Sequence, residues 1–356
     1  MNLRLPTSRW LYVWLAAAVI ALQGFPWLFG WFTGRALRRS PALSSSLEAL
    51  VEERLQPAVL RETLSHYPHV AWLLSGITLL GILLLLTGVL LDLRWLWRRG
   101  VQGRSAGGPH RALAGGPWGT LWSLGDVGRL IILSLFISSV TSWVAGAVLV
   151  VRHHRPDPLV ELLFLTAAVE GAMLWMVAVY ARAKGRRWWD AVGLAGAAGW
   201  RAVGAGLRGY LTVLPLIAAA LASAGWLAKL VGYTPPPHPL SVLFLEEDRL
   251  GLLLFASLFA CVAGPLLEEI FFRGILFRAL RARLALAPAI GVSAVLFAML
   301  HGNWVALAPI TLLGCLLAYL YERTGSLWAS VLVHILHNSA MIALVWVVRL
   351  LVRLPG

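Results

Sequence analysis

The sequence predicts an all-α fold, a polytopic transmembrane helical bundle of about nine spans, on three observations. Hydrophobic residues make up 59% of the 356 and charged residues only 13%, at a mean hydropathy of +0.78, outside the range of soluble globular domains. Apolar windows of about twenty residues, long enough to cross a bilayer as helix, recur along the whole chain. The period-two alternation expected of membrane barrel strands is missing from them.

The first window, 10–32, is long, contains Pro26 and lacks a small-residue cleavage pattern behind a short apolar core, so it reads as a retained helix and not a signal peptide. Further spans are expected at 70–91, 130–151, 159–181, 209–232 and 252–277, then as a short pair at 288–303 and 304–321, and finally at 326–348. The Gly/Ala-rich stretch 188–208 reads as an interfacial or re-entrant helix. Two polar connections, 35–69 with SPALSSS and EALVEERL and 100–120 with GRSAGGPHRALAGGP, cannot bury a core alone. A third, YTPPPHPLSVLFLEEDRLG at 233–251, starts stiff and Pro-rich. It divides an N-terminal section, 1–249, from a section at 250–348 that holds every strong polar signal, followed by a tail at 349–356.

A net charge of +14 raises the question of nucleic acid, but the arginines are scattered through short connections and form no basic face with interleaved aromatics. Membrane topology accounts for them. The loops with Arg94, Arg98, Arg99, Arg104 and Arg111, with Arg182, Lys184, Arg186 and Arg187, and with Arg278, Arg281 and Arg283 belong inside, which puts the N-terminus in the cytoplasm. The first loop, with Arg35, Arg38, Arg39, Arg54 and Arg61, votes the other way, offset by Glu48, Glu52 and Glu53. Cys261 and Cys315 both fall within spans and offer neither a disulfide framework nor a metal motif. Tryptophans near span ends, such as Trp95, Trp188 and Trp304, fit interfacial anchoring.

Glu268, Glu269 and Arg273 stand inside the apolar run FASLFACVAGPLLEEIFFRGILF. Charges at membrane depth cost several kcal/mol each, so they usually face a bundle interior or a wet cavity and mark a working site. Glu269 and Arg273, at i and i+4, share a helix face and can pair. Glu268 lies about 100° away around the axis and is left without a dedicated cation, which suits a general base. A helix-stabilising salt bridge at a wet seam is the plainer alternative. The next span ends in FAMLH, with Phe297 and His301 on one stripe, and the last carries HILHN, with His334 and Asn338 on one face and His337 nearby. Interhelical hydrogen bonding alone could account for these. Together they form a set suited to peptide hydrolysis, with Glu268 and His301 activating water and His334 and Asn338 as donors to the oxyanion.

EEIFFRG at 268–274, FAMLH at 297–301 and HILHN at 334–338 resemble, in order and spacing, the EExxxR, FxxxH and HxxxN motifs of the CAAX-protease and bacteriocin-processing family. The likeness covers roughly residues 250–348, including the linker with Gly314, Gly325 and Ser326. It implies an intramembrane endopeptidase like the type II enzymes that trim prenylated CAAX proteins, with Glu268 and His301 as base, His334 and Asn338 at the oxyanion, and Glu269 and Arg273 in support. His337 lies outside the motif. Family members have been described both as metalloproteases and as metal-free glutamate proteases, so a divalent metal such as zinc, held by Glu268, His301 and His334, and no metal at all both stay open.

The expected partners are a membrane-associated polypeptide substrate and the lipid bilayer, with no nucleic acid, and the expected location is a bacterial inner membrane. A proton-coupled transporter or a catalytically idle scaffold of the same fold are the alternatives. One conflict stands within this reading. With alternating spans drawn as above, Glu268 and His301 lie at different depths.

Overall fold

A computed structural model describes residues 11–19, 51, 53–101, 121–152, 158–195, 200–233 and 239–354. Most of the first predicted span, residues 35–50 and 52 of the first polar connection and residues 102–120 of the second lie outside the described residues. Those described are helical, with no strand among them, in an all-α polytopic integral membrane protein. A short stretch at 11–19 is followed by α1 (Pro57–His66), α2 (Pro68–Val101), α3 (Leu124–Arg152), α4 (Pro158–Ala183), α5 (Trp188–Val192) and α6 (Trp200–Leu230). Then come α7 (Pro239–Glu246), α8 (Leu250–Arg281), α9 (Leu286–Met299), α10 (Trp304–Thr324) and α11 (Leu327–Arg353).

Among the described residues six helices are long and apolar enough to cross a membrane: α2, α3, α6, α8, α10 and α11. The stretch 188–208 divides into α5 and the first turns of α6, which therefore begins at Trp200, nine residues before the predicted start. Helix α9 has only 14 residues, about 21 Å against a hydrocarbon core of about 30 Å. Its stop is written in the sequence HGN. Gly302 takes a left-handed φ of 63°, and Asn303 caps α10 by accepting from the backbone N–H groups of Val305 and Ala306 at 3.0 and 3.2 Å.

The main core draws on both halves of the chain, with Leu130, Val177, Tyr180, Ile270, Ile275, Phe297 and Tyr321 buried together. Its anchor is the end of α5, where successive carbonyls that the helix leaves unpaired meet donors from four other segments. The carbonyl of Ala191 accepts from Trp122 Nε1 (2.9 Å) and Arg278 Nη1 (2.6 Å). Those of Val192, Gly193 and Leu194 accept from Tyr321 Oη (3.2 Å), the Leu327 N–H (3.0 Å) and Trp328 Nε1 (3.1 Å). At Gly274 the α8 backbone reaches this anchor so closely that a Cβ would stand 2.8 Å from Val192 Cβ and 3.2 Å from its carbonyl oxygen. Gly274→Ala is expected to cost about 1–3 kcal/mol through overpacking, read as a lower unfolding temperature in detergent; an unchanged value would place the close contact elsewhere.

Helix α2 presents Leu79, Leu80, Leu83, Leu86 and Trp97 outward, as a lipid-facing helix must. Its approach to α6 is set by Gly88, where a Cβ would meet the Pro215 ring at 2.8 Å. At the other end of the bundle α11 holds α7, with Arg349 donating to the Phe244 carbonyl and Arg353 to Asp248 and to the Leu245 carbonyl. Beside them, hydrogen bonds from Arg249 hold the Glu247 carboxyl down at about 2.

Candidate active site

The carboxylates are carried by an interrupted helix. Within α8 a six-residue α-helical segment, Gly264–Glu269, is flanked by π-helical turns at Phe259–Ala263 and Ile270–Phe277. Such turns, with i to i−5 hydrogen bonds, are rare and recur at functional sites. In the first, the Gly264 N–H bonds back to the Phe259 carbonyl. The next bond in that register would join residue 265 to Ala260, but Pro265 has no N–H to give. Asn338 of α11 takes its place, donating from Nδ2 to the Ala260 carbonyl at 3.0 Å.

The two glutamates differ in their surroundings. Glu269 is fully buried, and its Oε1 accepts from Arg273 Nη1 at 2.6 Å, the guanidinium being equally buried. Isolated, such a pair would not recover its desolvation. Here Arg273 also donates from Nη2 to the Gly314 carbonyl at 3.3 Å and lies over the Phe297 ring, 4.4 Å from its centre. Glu269 has a second donor in His334 Nδ1, 3.0 Å away. Glu268 remains 36% exposed and sets its Oε2 3.7 Å from His334 Nε2. Arg273 thus secures Glu269, and the sequence-derived division between a fixed and a free carboxylate is matched by the geometry.

Hydrogen bonds also fix the histidine tautomers. A carboxylate paired to arginine can only accept, so His334 Nδ1 carries the proton and Nε2, turned to Glu268, is the basic nitrogen. His301 Nδ1 is 3.0 Å from the Phe297 carbonyl, which likewise only accepts, leaving its Nε2 basic. Phe297 sits between the imidazoles with ring centres 4.9 Å from His301 and 5.5 Å from His334.

The conflict over depth disappears because the helix bounds differ from those predicted. Helix α8 continues to Arg281, thirteen residues beyond Glu268, or about 20 Å. Helix α9, starting from the same end, is about 21 Å long and stops two residues before His301. Both side chains therefore lie at a similar level.

Glu268, Glu269, Arg273 and His334 are brought together directly, with Phe297 linking them to His301. Asn338 belongs to the same end of α11 but spends one N–H on Ala260. His337 turns instead to α6, its Nδ1 3.1 Å from the Tyr210 hydroxyl. The donor types would suit zinc, yet among the described residues no group of three His, Cys, Asp or Glu side chains is gathered closely enough to hold a metal ion. As arranged, Glu268, His301 and His334 do not fit one. Motif reading missed Glu170 on α4, whose carboxylate interacts electrostatically with that of Glu268. The signal was available, since a lone carboxylate in the apolar run TAAVEGAML is as costly as those on α8.

Comparison with known proteins agrees on the same segment. Residues 250–340 match the protein-family model described as "Type II CAAX prenyl endopeptidase Rce1-like". The "Putative membrane peptidase YdiL" of Bacillus subtilis (strain 168) is 35% identical over 81 residues, which span 23% of this chain and 33% of that protein. The alignment thus reaches only a third of the relative's length. No solved structure matches the chain. Over residues 250–340, the stretch that carries Glu268, His301, His334 and Asn338, the chain is similar to the Rce1-like type II CAAX prenyl endopeptidases.

Proposed function

We propose that the chain is an intramembrane endopeptidase that hydrolyses a peptide bond in a membrane-associated protein or peptide, metal-free as its residues are arranged. One observation carries the reading: within the bundle, Glu268 is held open to solvent beside a histidine whose tautomer is set by a second, fully buried glutamate. In this mechanism Glu268, with the basic Nε2 of His301 nearby, takes a proton from water as the water oxygen attacks the peptide carbonyl carbon. The carbonyl oxygen becomes an oxyanion. For this step His334 has taken a second proton from solvent at its otherwise basic Nε2, and as an imidazolium balanced by Glu269 it donates to the oxyanion, as does the second N–H of Asn338. The C–N bond then breaks as the proton held on Glu268 passes to the leaving nitrogen. A bacterial inner membrane with a cytoplasmic N-terminus is the setting we infer from the arginine-rich loops.

The test is cleavage of a library of membrane-anchored peptides by purified protein in liposomes. His334→Ala is expected to lower kcat on the order of a hundredfold or more, the cost of losing one oxyanion donor, and His301→Ala to weaken cleavage as well. Cleavage by Glu268→Ala, His301→Ala and His334→Ala equal to that of the native protein would end the assignment. Chelator treatment followed by metal analysis decides the cofactor, and activity that vanishes with zinc and returns on its addition would overturn the metal-free form.

A further inference from the structure

Glu170 lies outside the segment matched by the family model and in none of the motifs, yet three observations direct it at the site. On α4 it shares a face with Met173, Leu174 and Val177, at i+3, i+4 and i+7, and these pack into the core that includes Leu266, Leu267 and Ile270 of α8. It stands thirteen residues before Ala183, just as Glu268 stands thirteen before Arg281, and both helices end beside α5, α4 through the short turn at 184–187 and α8 through the bond from Arg278 to the Ala191 carbonyl. Finally, Oε2 of Glu170 and Oε2 of Glu268 are both buried without a hydrogen-bond partner among the described residues, and the two carboxyl groups interact with each other.

Two electrostatically coupled carboxyl groups in an apolar bundle cannot both hold a full charge cheaply, and the usual solution is one proton between them. Glu268 is the better seat for the charge. His334 Nε2 lies 3.7 Å away and the Arg273 guanidinium acts on it as well. We propose that Glu170 is a positioning residue of this same site, a neutral carboxylic acid that donates its proton towards Glu268 through one bridging water and holds the base in place. The inference rests on Glu268 being the base.

The assay is the liposome cleavage assay run across pH with four variants. Glu170→Gln keeps a donor but cannot ionise, so its kcat should stay within about twofold of the native value, and the alkaline decline that follows loss of the shared proton should disappear. Glu170→Ala should lower kcat about tenfold with KM little changed, the cost of a misplaced reacting group, and Glu170→Asp should recover part of the loss. Native behaviour in Glu170→Ala, or equal damage in the Gln and Ala variants, overturns the inference. Glu268→Gln separates the two claims. If it still cleaves, the role of Glu268 and this inference fall together; if it is inactive while Glu170→Ala is normal across pH, only the inference falls.

Discussion

Glu268→Gln is expected to lower peptide cleavage on the order of a thousandfold while the protein stays folded, within the range that a single general base contributes. The substitution is nearly isosteric, but the amide cannot accept the proton that water must release. Stability should be spared because Glu268 is 36% exposed and reaches His334 Nε2 only at 3.7 Å, too far for a hydrogen bond. Single-turnover cleavage in liposomes measures the first part and thermal unfolding in detergent the second. A variant that keeps a tenth of the native rate would mean that another group activates the water.

Arg273→Met should act in the opposite way, chiefly on the fold. Removing one partner of a buried ion pair costs about 3–5 kcal/mol because the other charge is left uncompensated. Glu269 would keep only His334 as a donor, while the Gly314 carbonyl and the Phe297 ring would both lose the guanidinium. A large fall in unfolding temperature is the expected readout. Replacing both charges, as Glu269→Gln with Arg273→Met, should return part of the loss, since neither site then buries a lone ion. If the double variant is no more stable than the single one, lost packing and not stranded charge is the cause.

Much of the site could be read from the residues, because an intramembrane charge has few innocent explanations. Glu269 and Arg273 at i and i+4 specified their own pairing, and Glu268 beside them was left free by the helical angle alone. Less visible was the backbone of α8. A π turn does not alter the apolar pattern of a helix, so only Pro265, with no N–H to offer, hinted that a carbonyl near residue 260 would need the Asn338 side chain. The depth of His301 is obscured for another reason: the apolar window 288–303 contains Gly302 and Asn303, which are stop and start signals for α9 and α10. Glu170 stands in none of the motifs, and its electrostatic coupling to Glu268 depends on how α4 and α8 pack, which no local pattern encodes.

The anchor at the end of α5 limits modularity. Four consecutive carbonyls from residues 191–194 accept donors from Trp122, Arg278, Tyr321, Leu327 and Trp328, so the segment matched by the family model is stitched to one that lies before it. A fragment excised at residue 250 would lose α5 and strand the donors of Arg278, Tyr321, Leu327 and Trp328 on an unclothed apolar face. Transplanting the segments that hold Glu268, His301 and His334 between relatives therefore means carrying α5 along with them.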